Sequence, residues 1–106
     1  QINASGEPTK QGVAAPAVLH LAEQIDTMLN LRLRGLMTMA PRVENPEEVR
    51  SIFARTNEIF HEMKSEGIGR DHCNVLSMGM TNDFEVAIEE GATVVRVGSA
   101  IFGPRT

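Results

Sequence analysis

Hydrophobic residues recur at helical spacing in three stretches of the chain. The first predicts a helix over residues 16–29, because Pro16 suits a first helical turn and apolar residues follow it at three- and four-residue intervals. Its stripe consists of Val18, Leu21, Ala22, Ile25 and Leu29. The second and longest begins at the capping residue Asn45 and ends near Gly67. Its stripe consists of Val49, Ile52, Phe53, Thr56, Ile59, Phe60 and Met63.

The third stretch lies near the end of the chain. Asn82 and Glu85 form a capping-box pattern, and the helix that they predict carries Phe84, Ala87 and Ile88 and ends at Gly91.

Short apolar segments alternate with these helices and predict strands over residues 1–4, 31–39, 74–80 and 93–98. Strands that are apolar on both faces and alternate with helices are typical of a parallel sheet covered by helices. Four such units make half of a (β/α)₈ barrel of the TIM type, whose usual length is about 250 residues. A half barrel has two open edges, so we expect a partner, either the other half of the same barrel or a second copy.

Composition narrows the function classes. The 106 residues fit one domain, and a net charge of −4 without a Lys/Arg cluster argues against nucleic-acid binding. No run approaches the roughly 20 apolar residues of a membrane span. The lone Cys73 excludes an internal disulfide and favours the cytoplasm. Since the chain starts with Gln1 instead of Met, we expect it to be part of a longer protein.

The last two predicted strands carry the candidate site. Ser/Gly sequences lie along or after them, and backbone N–H groups in such turns can bind an anion. Side chains alternate along a strand, so Arg96 and Gly98 share one face, and Ser77 shares a face with Gly79 in the strand before. If that face is the barrel interior, Ser77, Arg96, Gly98 and Ser99 converge where barrel enzymes hold phosphate.

Simpler interpretations remain open on the pattern alone. The Ser/Gly sequences can be ordinary strand-to-helix turns, and Arg96 can form a buried ion pair with a carboxylate such as Glu7. Lys10 is then a solvated loop residue. The methionines Met37, Met39, Met78 and Met80 are typical core filler. We assign no metal site, because the histidines lack ligands at chelating spacing, and Cys73 has no activating neighbour beyond His72.

The end of the chain resembles the pyridoxal phosphate homeostasis family, of the alanine racemase barrel type. The resemblance rests on residues 76–85 and 95–103, with residues 33–39 and Ile2, Asn3, Glu7, Lys10 and Gly12 upstream. It implies that residues 1–106 are the C-terminal half of a barrel domain that binds pyridoxal 5′-phosphate (PLP). It also implies that Ser77, Gly98 and Ser99 hold the phosphate and that Arg96 faces the pyridine nitrogen.

The resemblance also implies a missing group. The family's Schiff-base lysine lies at the end of an early strand, and neither Lys10 nor Lys64 matches that position. We therefore expect that lysine in the N-terminal half, outside this chain.

Two functions of different class follow. The first is cofactor binding and intracellular homeostasis, in which the protein buffers or carries PLP. The alternative is an amino-acid racemase or decarboxylase of the same barrel class. An arginine at the ring nitrogen weakens the electron sink that carbanion chemistry needs, and no tyrosine is present to act as a second acid or base, so the residues favour binding over catalysis.

Overall fold

Parallel strands and helices alternate along the computed structural model, which describes residues 1–6 and 11–104. The strands are β1 (Ile2–Asn3), β2 (Val13–Ala14), β3 (Gly35–Met37), β4 (Val75–Met80) and β5 (Val94–Arg96). The helices are α1 (Val18–Asp26), α2 (Arg50–Ser65), α3 (Phe84–Glu89) and α4 (Ser99–Phe102). Short 3₁₀ turns, Ala15–Ala17 and Pro46–Val49, lead into α1 and α2.

All strand pairs in this part of the chain are parallel. β3, β4 and β5 form one sheet in that order, and β1 pairs with β2. A parallel bridge between Ile2 and Thr38 joins the two groups, so β1 lies beside the end of β3. The predicted class, an α/β fold with parallel strands and covering helices, is confirmed, and the arrangement is compatible with part of a barrel. No helix in the described ranges combines the length and the apolar character that a bilayer crossing requires.

Helix α2 supplies more buried residues than any other described element, as its stripe predicted. Six of the seven predicted stripe residues are buried, and Ile52 packs against them half-buried. They meet Leu76 and Met78 of β4, both completely buried. The Asn45 cap is also present, because its side-chain oxygen accepts a hydrogen bond from the Glu47 amide at 3.1 Å.

The prediction for the first helix was wrong at its C-terminal end. Helix α1 stops at Asp26, and Leu29 lies beyond it with 99% of its surface exposed. The Thr27 hydroxyl donates to the Gln24 carbonyl at 2.7 Å, and the Thr27 and Met28 amides donate to carbonyls of the last turn. These bonds satisfy the end of the helix locally and stop it before Leu29.

The second predicted strand was too long. Strand β3 begins only at Gly35. Just before it, the Arg34 carbonyl accepts hydrogen bonds from the amides of both Asn74 and Val75, and the pairing with β4 begins there. A Cβ atom at Gly35 would lie 1.7 Å from the Val75 carbonyl oxygen, so only glycine allows this approach. Strand β2 and helix α4 were not predicted, because segments of two and four residues carry no periodic signal.

The capping box at Asn82 was also wrong. Asn82 donates its side-chain amide to the Val43 carbonyl, and Asp83 occupies the cap position of α3. The Asp83 carboxylate accepts the Met80 amide at 2.8 Å, which closes the loop between β4 and α3. A short polar residue therefore stabilises this loop instead of the first turn of the helix.

Candidate functional site

The sheet has one buried face and one open face. Leu36 and Leu76 lie in register and are both buried, whereas Ser77 lies in register with Met37 on one side and Val94 on the other. Residues in register point to the same side of a sheet. Ser77 and Met37 are half-buried and Val94 is 43% exposed, so their side is the open face of the sheet.

A β-bulge interrupts the alternation of side chains in β4. The register with β5 passes from Ser77 opposite Val94 to Met80 opposite Arg96, so three residues of β4 match two of β5. Gly79 within the bulge is buried with φ +104°, and a Cβ there would lie 2.7 Å from the Cβ of Ala87. The prediction that Gly79 shares the face of Ser77 was therefore wrong. The interpretation of Met80 as core filler was also wrong, because Met80 is 41% exposed.

Arg96 ends β5 with its guanidinium only partly engaged. Its Nη2 donates to the Thr38 carbonyl at 2.8 Å, while its Nε is buried and has no hydrogen-bond partner among residues 1–6 and 11–104. A buried donor without a partner costs about 1–3 kcal/mol. The alternative partner considered from sequence, Glu7, lies outside the described residues, as does Lys10. The guanidinium thus has donor capacity that no described residue uses.

The carbonyl of Thr38 accepts the hydrogen bond from Arg96 Nη2, and Thr38 was not among the site residues predicted from the sequence. The residue is fully buried, and its hydroxyl donates to the Ile2 carbonyl at 2.9 Å. Its amide donates to the Ser77 carbonyl at 3.1 Å. The only sequence signal was a threonine among the apolar residues at the end of β3.

The turns after β4 and β5 lie side by side. The Ala100 amide, in the first turn of α4, donates to the Thr81 hydroxyl at 3.2 Å. The Gly98 and Ser99 amides just before it have no partner among the described residues, and both residues are exposed. Two amides and the Thr81 hydroxyl are therefore available at this corner of the sheet. Sequence reasoning named Gly98 and Ser99 but not Thr81, whose position directly after a strand was the available signal.

Ser77 lies deeper than that corner. It lies inside β4, as the predicted strand over residues 74–80 has it, and not at the C-terminal end of that strand. It is level with Val94, and about 13 Å of extended chain separates Val94 from Gly98 at roughly 3.3 Å per residue. The structure thus brings Arg96, Gly98 and Ser99 to one end of the open face and places Ser77 further along the same face.

A cleft in the described part of the chain lies elsewhere. It has a volume of about 270 Å³ and opens between the start of α2 and the loop into α3. Its lining is residues 45–47 and 81–86, so Thr81 is the one residue that it shares with the corner described above. Three carboxylates line it, from Glu47, Asp83 and Glu85, which makes it unsuited to a phosphate.

The remaining reactive side chains lie away from the open face. Cys73 is buried, and burial raises the pKa of its thiol, so the unreactive neutral form dominates. Lys64 lies on α2 with its Nζ 5.1 Å from the ring centre of Phe60. Among residues 1–6 and 11–104, no three His, Cys, Asp or Glu side chains come close enough to hold a metal ion.

Comparison with known families gives a match over the whole chain. The model of the alanine racemase N-terminal domain matches residues 1–106. The pyridoxal phosphate homeostasis protein of Aquifex aeolicus is 45% identical over 106 residues, which are 99% of this chain and 45% of the relative. That of Haemophilus influenzae is 40% identical over 105 residues, 99% of this chain and 44% of the relative. The chain thus spans somewhat less than half the length of these curated relatives.

Solved structures show the same fold. A protein of unknown function from Bifidobacterium adolescentis is 40% identical, with a TM-score of 0.88 over 95% of this chain and 40% of its own. PipY of Synechococcus elongatus, solved with PLP bound, is 29% identical with a TM-score of 0.77, over 90% of this chain and 44% of its own. The same protein without PLP is 31% identical with a TM-score of 0.79, over 92% of this chain and 45% of its own.

Proposed function

Because the chain belongs to the family of alanine racemase N-terminal domains, we propose that it is the C-terminal half of a barrel that binds PLP and maintains the cytoplasmic supply of this cofactor. Similarity to pyridoxal phosphate homeostasis proteins and to a PLP-bound structure supports the choice of ligand.

The proposal rests on the Nε of Arg96, which is buried and has no partner in the part of the chain that the structure describes. PLP presents a pyridine nitrogen, which accepts one hydrogen bond when unprotonated, and the guanidinium has donors to spare and cannot accept. The residues therefore fit the ring of the cofactor. Bound PLP supplies an electron sink for carbanion chemistry when its ring nitrogen is protonated. A cationic donor at this nitrogen keeps the proton away, so Arg96 favours holding the cofactor over using it.

The phosphate fits the corner between the two turns. The Gly98 and Ser99 amides have no described partner, and two N–H groups in sequence can bind an anion together. Ser77 extends the site along the open face, and its hydroxyl has no described partner either. Because Ser77 lies deeper than the corner, we expect it to contribute less to phosphate affinity than the two amides do.

The covalent attachment lies outside this chain. Lys64 is on the helical side of the sheet, and the Schiff-base lysine of the family is expected in the N-terminal half. The contacts of residues 77–99 are thus non-covalent, and they can be measured with pyridoxine 5′-phosphate, which has the ring nitrogen and the phosphate but no aldehyde.

Calorimetric titration of the complete protein with pyridoxine 5′-phosphate tests the proposal. We expect binding, and we expect Arg96→Gln to weaken it by roughly tenfold or more, because a hydrogen bond from a charged group is lost. Arg55→Gln is the matched control, since Arg55 is an exposed arginine that pairs with Glu58 on α2 at 3.3 Å. Absence of binding, or equal affinity of the Arg96 and Arg55 variants, would overturn the proposal.

A further inference from the structure

Thr38 forms hydrogen bonds with residues of three strands, and one of these residues is Arg96. Its amide bonds to Ser77 of β4, its hydroxyl to Ile2 of β1, and its carbonyl accepts Nη2 of Arg96 from β5. Thr38 follows directly on β3 and is fully buried. Every polar group of this residue is therefore used, and each bond goes to a different neighbour.

The direction of the guanidinium depends on this one residue. An arginine side chain has several rotatable bonds, and only one hydrogen bond from Arg96 to a described residue restrains it. The acceptor, the Thr38 carbonyl, lies one residue beyond β3, which ends at Met37. The hydroxyl bond to Ile2 and the amide bond to Ser77 restrain the Cα of Thr38, to which this carbonyl is attached.

We infer that Thr38 is a positioning residue for the cofactor ring: its buried hydroxyl anchors the residue whose carbonyl directs the Arg96 guanidinium at the pyridine nitrogen. The inference rests on the proposed function, because it assigns the ring nitrogen to Arg96. Thr38 itself touches no cofactor atom in this account and acts only through the arginine.

Thr56 provides a matched control. It is also a fully buried threonine, and its hydroxyl donates to a backbone carbonyl, that of Ile52, at the same distance of 2.9 Å. It lies on α2, within the helical layer. Replacing either threonine by valine removes a buried hydroxyl from a similar environment, but only Thr38 has a bond to Arg96.

The experiment uses the complete protein and pyridoxine 5′-phosphate labelled with ¹⁵N in the ring. Two quantities are measured at neutral pH for Thr38→Val, Thr38→Ser, Thr56→Val and the unchanged protein. They are the dissociation constant and the ¹⁵N chemical shift, which reports protonation of the ring nitrogen.

We expect Thr38→Val to weaken binding about fivefold and to move the ¹⁵N shift toward the protonated value, because a less restrained guanidinium excludes the proton less effectively. Thr38→Ser keeps the hydroxyl and should restore both values. Thr56→Val should match the unchanged protein in both. If Thr38→Val does not fold, Thr38→Ala removes the same hydroxyl and serves in its place.

The outcomes separate the two claims. Suppose that the unchanged protein binds pyridoxine 5′-phosphate and that binding depends on Arg96. If removal of the Thr38 hydroxyl then changes the dissociation constant and the ¹⁵N shift no more than Thr56→Val does, the positioning role is wrong and the proposed function stands. If the unchanged protein does not bind pyridoxine 5′-phosphate, the proposed function fails, and the role of Thr38 fails with it.

Discussion

At the residue scale, Arg96 keeps a buried donor that no described residue accepts. Its Nε has no partner in that part of the chain, and Nη2 of the same guanidinium donates to the Thr38 carbonyl. A buried donor without an acceptor lowers folding stability, and such costs are found where a binding site is preorganised for its ligand. We propose that the acceptor missing from the described residues is the ring nitrogen of the cofactor.

Gly35 shows how closely β3 and β4 approach. We predict that Gly35→Ala lowers the free energy of unfolding of the complete protein by about 3 kcal/mol or more, because the new methyl group meets a backbone carbonyl at 1.7 Å and the strand must move. Urea denaturation measures the effect.

Gly98→Ala is the control for stability in that experiment. A Cβ at Gly98 has no heavy atom within 4 Å, so the free energy of unfolding should change by less than about 0.5 kcal/mol. Equal effects of the two substitutions would show that the approach of β3 to β4 is not as tight as described.

At the element scale, one arginine joins α2 to α3. Arg50 contacts Glu47 at 2.7 Å, Glu89 at 2.6 Å and Glu90 at 2.7 Å. Its hydrogen bond to Glu47 lowers the pKa of that carboxyl below the ordinary 4.5. Because the pKa of Glu47 is lower in the folded protein than the ordinary 4.5, its ion pair stabilises the folded state above pH 4.5. This stabilisation is lost as the pH falls through the pKa that Glu47 has in the folded protein. The network thus stabilises the packing of the two helices at neutral pH.

We predict that Arg50→Met lowers the melting temperature at neutral pH and reduces the loss of stability on acidification. Thermal unfolding at neutral pH and near pH 4 measures both quantities, and high salt should diminish the difference at neutral pH because the carboxylates are largely exposed. The exposed ion pair of Arg55 gives the comparison: Arg55→Met should change either quantity less. A melting temperature that does not depend on Arg50 at any pH would contradict this role.

The elements also show what sequence alone can predict. Helix α2 was predicted well, because an apolar stripe repeats along its 16 residues and Asn45 caps the 3₁₀ turn that leads into it. The end of α1 was not, since a threonine bond stops the helix while the apolar pattern continues to Leu29. The bulge at Gly79 could not be predicted for a related reason. The alternation of side chains follows from the sequence of β4 alone, whereas the bulge depends on how β4 pairs with β5.

The same distinction applies to the site. Arg96, Gly98 and Ser99 could be found from sequence, because a charge among valines and a Gly-Ser turn are local signals. Thr38 could not, because its part in the candidate site comes from a bond to Arg96, far away in the chain. Thr81 had only its position directly after a predicted strand as a signal, and its bond to Ala100 required the structure. Ser77 was assigned to the correct strand, but its depth along the open face required the register.

At the scale of the whole molecule, the described residues form a sheet covered by helices on one face only. The uncovered face carries Ser77 and Arg96 together with exposed apolar side chains. These are Met39, Met80 and Val94, with Ile101 and Phe102 of α4 beyond them. Apolar surface of this kind marks an interaction site. We expect the other half of the barrel to cover it and to bring the lysine that binds the aldehyde of PLP.

The crystal structure of the complete protein with pyridoxine 5′-phosphate tests this account most directly. We predict a closed barrel with the ligand on the face of Ser77 and Arg96, its ring nitrogen within hydrogen-bond distance of the Arg96 guanidinium and its phosphate on the Gly98 and Ser99 amides. A ligand in the cleft between the start of α2 and the loop into α3, or a ring nitrogen remote from Arg96, would contradict it.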